Sequence, residues 1–103
     1  MSRIEKLQEY LKKSQKDSFL QHALALEFIK IGNDKEARLL FEEILNREPD
    51  YIGSYYHLAK LLERIGENEM AIKTYEIGME QAKKAGDNHA YNELQGALED
   101  LVE

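Results

Sequence analysis

The sequence predicts an all-α chain, an α-solenoid of about six helices stacked as antiparallel pairs. Three observations predict it. Apolar residues recur three and four positions apart, and no segment alternates as a strand would. The segments between these stripes are turns of a few residues, which makes neighbouring helices antiparallel. Shifting the chain by 34 residues superposes Leu24 on Leu58, Ala25 on Ala59, Ile31 on Ile65, Gly32 on Gly66, Ala37 on Ala71 and Glu42 on Glu76, with Phe28 on Leu62 and Phe41 on Tyr75. Small residues suit close helix crossings and bulky ones fill the space beside them. A pair so patterned cannot bury its face alone, so pairs must stack.

Each helix follows from its own residues. Ile4, Leu7 and Leu11 share a face of a short first helix, and Ser2 with Glu5 forms a capping box at its start. Leu20, Leu24, Ala25, Phe28 and Ile31 make the stripe of a second helix. Asp17 or Ser18 caps it, and Gly32 ends it in the left-handed conformation. Asn33 with Glu36 resembles a capping box for a third helix, which buries Ala37, Leu40, Phe41, Ile44 and Leu45 and is stopped by Pro49. Asp50 is the expected cap of a fourth, striped by Tyr55, Leu58, Ala59, Leu62 and Ile65 and ended by Gly66. Ala71, Tyr75, Gly78, Met79 and Ala82 mark a fifth, ended near Gly86. Asp87 opens a last helix with Tyr91, Leu94, Leu98 and Leu101 on one side.

Composition narrows the function. In 103 residues there are 14 basic and 20 acidic side chains, a net −6 that argues against nucleic acid and anionic membranes as partners. No cysteine is present, so disulfides, thiol catalysis and thiolate metal sites are excluded, and the composition fits a reducing, cytoplasmic compartment. The N-terminus meets acids and bases before any apolar run, unlike a secretory signal. No stretch approaches the roughly 18 apolar residues of a membrane span.

The repeat resembles the tetratricopeptide repeat (TPR), a 34-residue helix–turn–helix with the pattern W-x₂-L-G-x₂-Y, then Ala, Phe and Pro. The first unit reads Gln21, Leu24, Ala25, Phe28, Gly32, Ala37, Phe41, Pro49; the second reads Tyr55, Leu58, Ala59, Leu62, Gly66, Ala71, Tyr75. Departures are Gln21 for the aromatic, Ile44 for the small residue that Gly78 supplies, and Lys83 for the second proline. On this resemblance 1–103 is one domain: a half-repeat helix at 1–16, repeats at 18–51 and 52–87, and a capping helix at 88–103. The shifted register of Tyr91, Leu94 and Leu98 predicts that the fifth helix runs on through Lys83, Lys84 and Ala85.

The resemblance implies a right-handed superhelix whose first helices line a concave groove, and a non-catalytic adaptor that binds a peptide or protein segment there. The groove candidates are Phe19, His22, Leu26, Ile29 and Lys30 on the second helix, Tyr56, Lys60 and Arg64 on the fourth, and Asn92 on the last, beside His89 and Gly96. Lys60 and Arg64, four apart, point to a partner with an acidic or carboxylate end, unless Glu63 pairs with one of them. His22, Leu26 and His57 stand where chaperone-tail-binding TPR domains place a lysine and asparagine clamp, so that sub-class is not expected. No nucleotide-loop or metalloprotease motif is present, the three histidines fall on different helices, and no cofactor or metal is expected. Among six tyrosines, Tyr55, Tyr75 and Tyr91 hold core places, Tyr51 staples a helix start, Tyr10 packs, and Tyr56 is left for binding.

A second reading is a self-assembling scaffold subunit. Residues 1–16 carry +3 and residues 86–103 carry −5, so copies can meet head to tail, giving a monomer or weak homo-oligomer. Helix-dipole placement or plain solubility is the simpler account of that split.

Overall fold

The computed structural model describes residues 1–103 as six helices and no strands. They are α1 (Arg3–Lys13), α2 (Ser18–Lys30), α3 (Asp34–Arg47), α4 (Gly53–Arg64), α5 (Asn68–Ala85) and α6 (Asn88–Val102). The chain forms two compact units, Met1–Arg47 and Glu48–Glu103.

The helix ends are set by local hydrogen bonds. Ser2 and Glu5 close a full capping box on α1, both bonds at 3.1 Å. Asp17, not Ser18, caps α2 by accepting from the Leu20 amide at 3.0 Å. Asn33 accepts from the Glu36 amide at 3.3 Å, and Asp87 accepts from the Ala90 amide at 3.0 Å. Three helices end in the same way. Gly32, Gly66 and Gly86 take φ of +79°, +84° and +70°, and the residue after each donates back to Phe28, Leu62 and Ala82 respectively. That is the Schellman closure, and a side chain at the left-handed position would strain it.

In the first unit α2 packs against α1 and α3. Leu7, Leu24, Ala25, Ala37, Phe41 and Ile44 are buried, the last four completely. Gln21, standing where the family places an aromatic, is also buried, because Arg47 donates to its Oε1 at 2.6 Å and to Ser18 Oγ at 2.7 Å. In the second unit α5 packs against α4 and α6, and α4 touches α6. Tyr55, Leu58, Ala59, Leu62, Ala71, Tyr75, Ala82 and Leu94 are buried there. The small Gly78 is obligatory: a Cβ at that position would lie 2.7 Å from Tyr55 Cβ and 3.0 Å from Leu94 Cδ1. The fifth helix runs to Ala85, as the shifted register predicted.

Four expectations are corrected. Asp50 does not cap α4, which starts from Ile52 in helical geometry with no side-chain cap; the turn before it is closed by backbone bonds such as Tyr51 N–H to Glu48 O at 3.0 Å. Ile31 and Ile65 are 64% and 44% exposed rather than core, because they sit at the helix C-caps, past the last packed turn. Tyr10 is 60% exposed and packs little, since only the Leu7 side of α1 meets α2. Tyr91 is half-buried rather than core, on the α6 edge nearest Met79 and Lys83 of α5.

Candidate functional site

The candidate residues fall into two sets, one in each unit. On α2, Phe19 is 71% exposed and Lys30 is exposed, while His22, Leu26 and Ile29 are half-buried. The His22 ring stands edge-on to the buried Phe41, centroids 5.6 Å apart, so the core fixes its orientation. Lys30 is not a free cation: its ammonium lies 2.9 Å from Glu27 Oε2, which also meets Arg3 Nε at 3.4 Å. The hydrogen bond from Lys30, with help from Arg3, holds the Glu27 carboxyl below its usual range. Glu27 escaped the sequence reading, although its place three residues before Lys30 was the available signal.

On α4, Tyr56, Lys60 and Glu63 form a connected patch. The Lys60 ammonium sits 5.8 Å from the centre of the Tyr56 ring and 3.8 Å from Glu63 Oε2. Glu63 also accepts the hydroxyl of the buried Tyr75. Burial and this carboxylate together push the Tyr75 phenol far above its ordinary value, so it stays a neutral donor. The two cations four residues apart therefore do not form a bare anion clamp: Lys60 already faces Glu63, the pairing that i,i+3 spacing allows. Arg64 is exposed at the end of the helix. Beside the patch His57 is half-buried, its ring edge-on to Tyr56 at 5.6 Å. Burial lowers its pKa from the ordinary value, with Glu93 opposing and Arg64 reinforcing the shift. His89, Asn92 and Gly96 are exposed on α6.

The structure adds a feature that sequence reasoning missed. A notch of about 270 Å³ opens between α5 and α6, floored by Met79, Tyr91 and Leu98 and edged by Glu76, Glu80 and Lys83. The pattern assigned Tyr91 to the core and so hid it. No group of three His, Asp or Glu side chains converges to hold a metal ion, and no helix is long and apolar enough to cross a membrane.

Solved structures with the same architecture are known. A TPR domain protein from Salinibacter ruber is 44% identical in its crystal structure, with a TM-score of 0.79 over 82% of this chain and 94% of that one. Its solution structure gives a TM-score of 0.80 over 82% and 86%. A Bordetella parapertussis protein, 24% identical, has a TM-score of 0.85 over 99% of this chain and 89% of that one, a likeness of fold alone. No protein-family model and no curated protein matches the chain. The likeness to TPR domains supports a protein–protein interaction module in general terms.

Proposed function

Because this chain belongs to the tetratricopeptide repeat family, we propose that it is a non-catalytic adaptor that captures a peptide or protein segment on exposed helix faces, that of α2 in the first unit and those of α4 and α6 in the second. The observation that carries this reading is the α4 patch. An amphipathic ring and a cation are held together on a half-exposed helix face, with Glu63 anchored from below by Tyr75. A partner's apolar side chain can lie on Tyr56, and its carboxylate can compete with Glu63 for Lys60, with Arg64 one turn further on. Cation–aromatic contacts at exposed sites are worth about 0.5–1 kcal/mol, so this patch selects a partner more than it supplies the whole affinity. On α2, Phe19, His22, Leu26, Ile29 and Lys30 offer an apolar strip with one paired cation, and Asn92 offers an exposed amide on α6.

The test is the double change Tyr56→Ala with Lys60→Glu. Both side chains lie outside the core, so helicity and melting should stay as in the wild type. Partners recovered with the wild type in a pull-down read by mass spectrometry should be lost. If every one of them survives the double change, this surface is not the working one.

A further inference from the structure

Two surfaces of this chain are chemically complementary, one on α1 and one on the α5–α6 pair. On α1 the residues Arg3, Lys6, Tyr10 and Lys13 recur at intervals of three, four and three, which places them on one helix face beside the packed Leu7 side. Tyr10 is 60% exposed, and Lys6 and Lys13 have no ion-pair partner. An aromatic ring with a free cation on either side is thus presented to solvent. In the other unit the notch between α5 and α6 has an apolar floor, Met79, Tyr91 and Leu98. Val102, 59% exposed, extends the Tyr91–Leu98 stripe along α6. Two carboxylates of α5, Glu76 and Glu80, edge the notch together with Lys83. Segment 1–16 carries +3 and segment 86–103 carries −5.

We propose that the Lys6–Tyr10–Lys13 face of α1 docks in the α5–α6 notch of a second copy of this chain, with Tyr10 against Met79, Tyr91 and Leu98. The apolar floor supplies the contact, and Glu76 and Glu80 of the rim against the two lysines supply orientation and encounter rate. A second copy is the occupant because the same molecule displays both halves, an aromatic ring between free cations and an aromatic-floored notch whose rim carries Glu76 and Glu80 against the single cation Lys83. The contact is heterologous, so it either closes into a ring or continues as a chain of copies. It does not use Tyr56 or Lys60, so loss of partner capture and loss of self-association are separable by variant.

Sedimentation of the full chain over a concentration series tests this, at ionic strengths of about 0.01 M and 1 M, where the screening length falls from about 30 Å to 3 Å. The expected result is a mass that rises with concentration at low salt and falls back toward the monomer at high salt. Two charge reversals then identify the surfaces. Lys6→Glu with Lys13→Glu, and separately Glu76→Lys with Glu80→Lys, should each leave a helical monomer, and an equimolar mixture of the two should regain association. Tyr10→Ala should weaken association without a charge change. A wild type that stays monomeric at low salt overturns the proposal, as does association that survives both reversals, or a mixture of folded variants that remains monomeric. The Tyr56→Ala, Lys60→Glu variant should associate like the wild type.

Discussion

Two glycines show how much a single position owes to its neighbours. Gly78 and Gly96 both lie inside helices, where alanine is favoured by about 1 kcal/mol. At Gly96 an added methyl meets nothing within 4 Å, so Gly96→Ala should stabilise by about that amount. At Gly78 the methyl would press on Tyr55 Cβ at 2.7 Å, an atom one bond from the backbone that cannot swing away. Overpacking costs about 1–3 kcal/mol, so Gly78→Ala should lose about 1 kcal/mol net. Thermal melts should therefore move in opposite directions, by roughly 4–8 °C per kcal/mol in a chain of this size. Gly78 was legible in the sequence as a small residue at a family position. That it must be smaller still than alanine was not, because Tyr55 and Leu94 approach it from two other helices.

Among the elements, α2 and α3 are joined by chemistry that the repeat pattern does not contain. Arg47, half-buried at the end of α3, donates to Ser18 and Gln21 of α2 across separations of 29 and 26 residues. Bonds from a charged donor to neutral groups contribute about 1.5–3 kcal/mol, and their loss leaves buried acceptors short of a donor. Arg47→Met should therefore cost about that much in urea unfolding, and Arg47→Lys should recover part of it by restoring one donor. An equal stability for Arg47→Met would mean that the network is incidental. The candidate site repeats the lesson. Tyr56, Lys60 and Arg64 were placed on one face by spacing alone, whereas the anchoring of Glu63 by Tyr75 joins α4 to α5 and changes Lys60 from a free cation to a shared one.

At the scale of the whole molecule, stability should depend on pH through His57. Its folded pKa lies below the ordinary 6.5, so the unfolded chain takes up the proton more readily. The stability this contributes is present above about pH 6.5 and is lost as pH falls through the folded value. Urea midpoints measured from about pH 7.5 down to 5.5 should fall, and His57→Phe should flatten that slope. A slope unchanged by the substitution would assign it to other groups. Glu5 and Glu27, both held below 4.5 by hydrogen bonds, act in the next window: their contribution is present above 4.5 and disappears at lower pH. The net charge of −6 gives no hint of this order, because it counts groups without their surroundings.

The sequence by itself determined the helices, the caps of α1, α2 and α6, and the family. Each of those rests on interactions within a few residues: Ser2 with Glu5, Asp17 with Leu20, and a glycine in left-handed geometry at Gly32, Gly66 and Gly86. The 34-residue echo carries the packing rule in the same local form. Where local logic stopped at a helix end it misled, as with Ile31, Ile65 and Asp50, since a stripe does not show where its neighbour ends. Only the tertiary structure decided which groups are free. It brought Arg3 of α1 to Glu27 of α2, drew Lys60 toward a carboxylate held by Tyr75, left Tyr10 in solvent between two lysines, and opened the notch beside Tyr91. The reason is physical: a side chain's exposure and charge environment come from whatever packs beside it, and for these residues much of that lies on another helix.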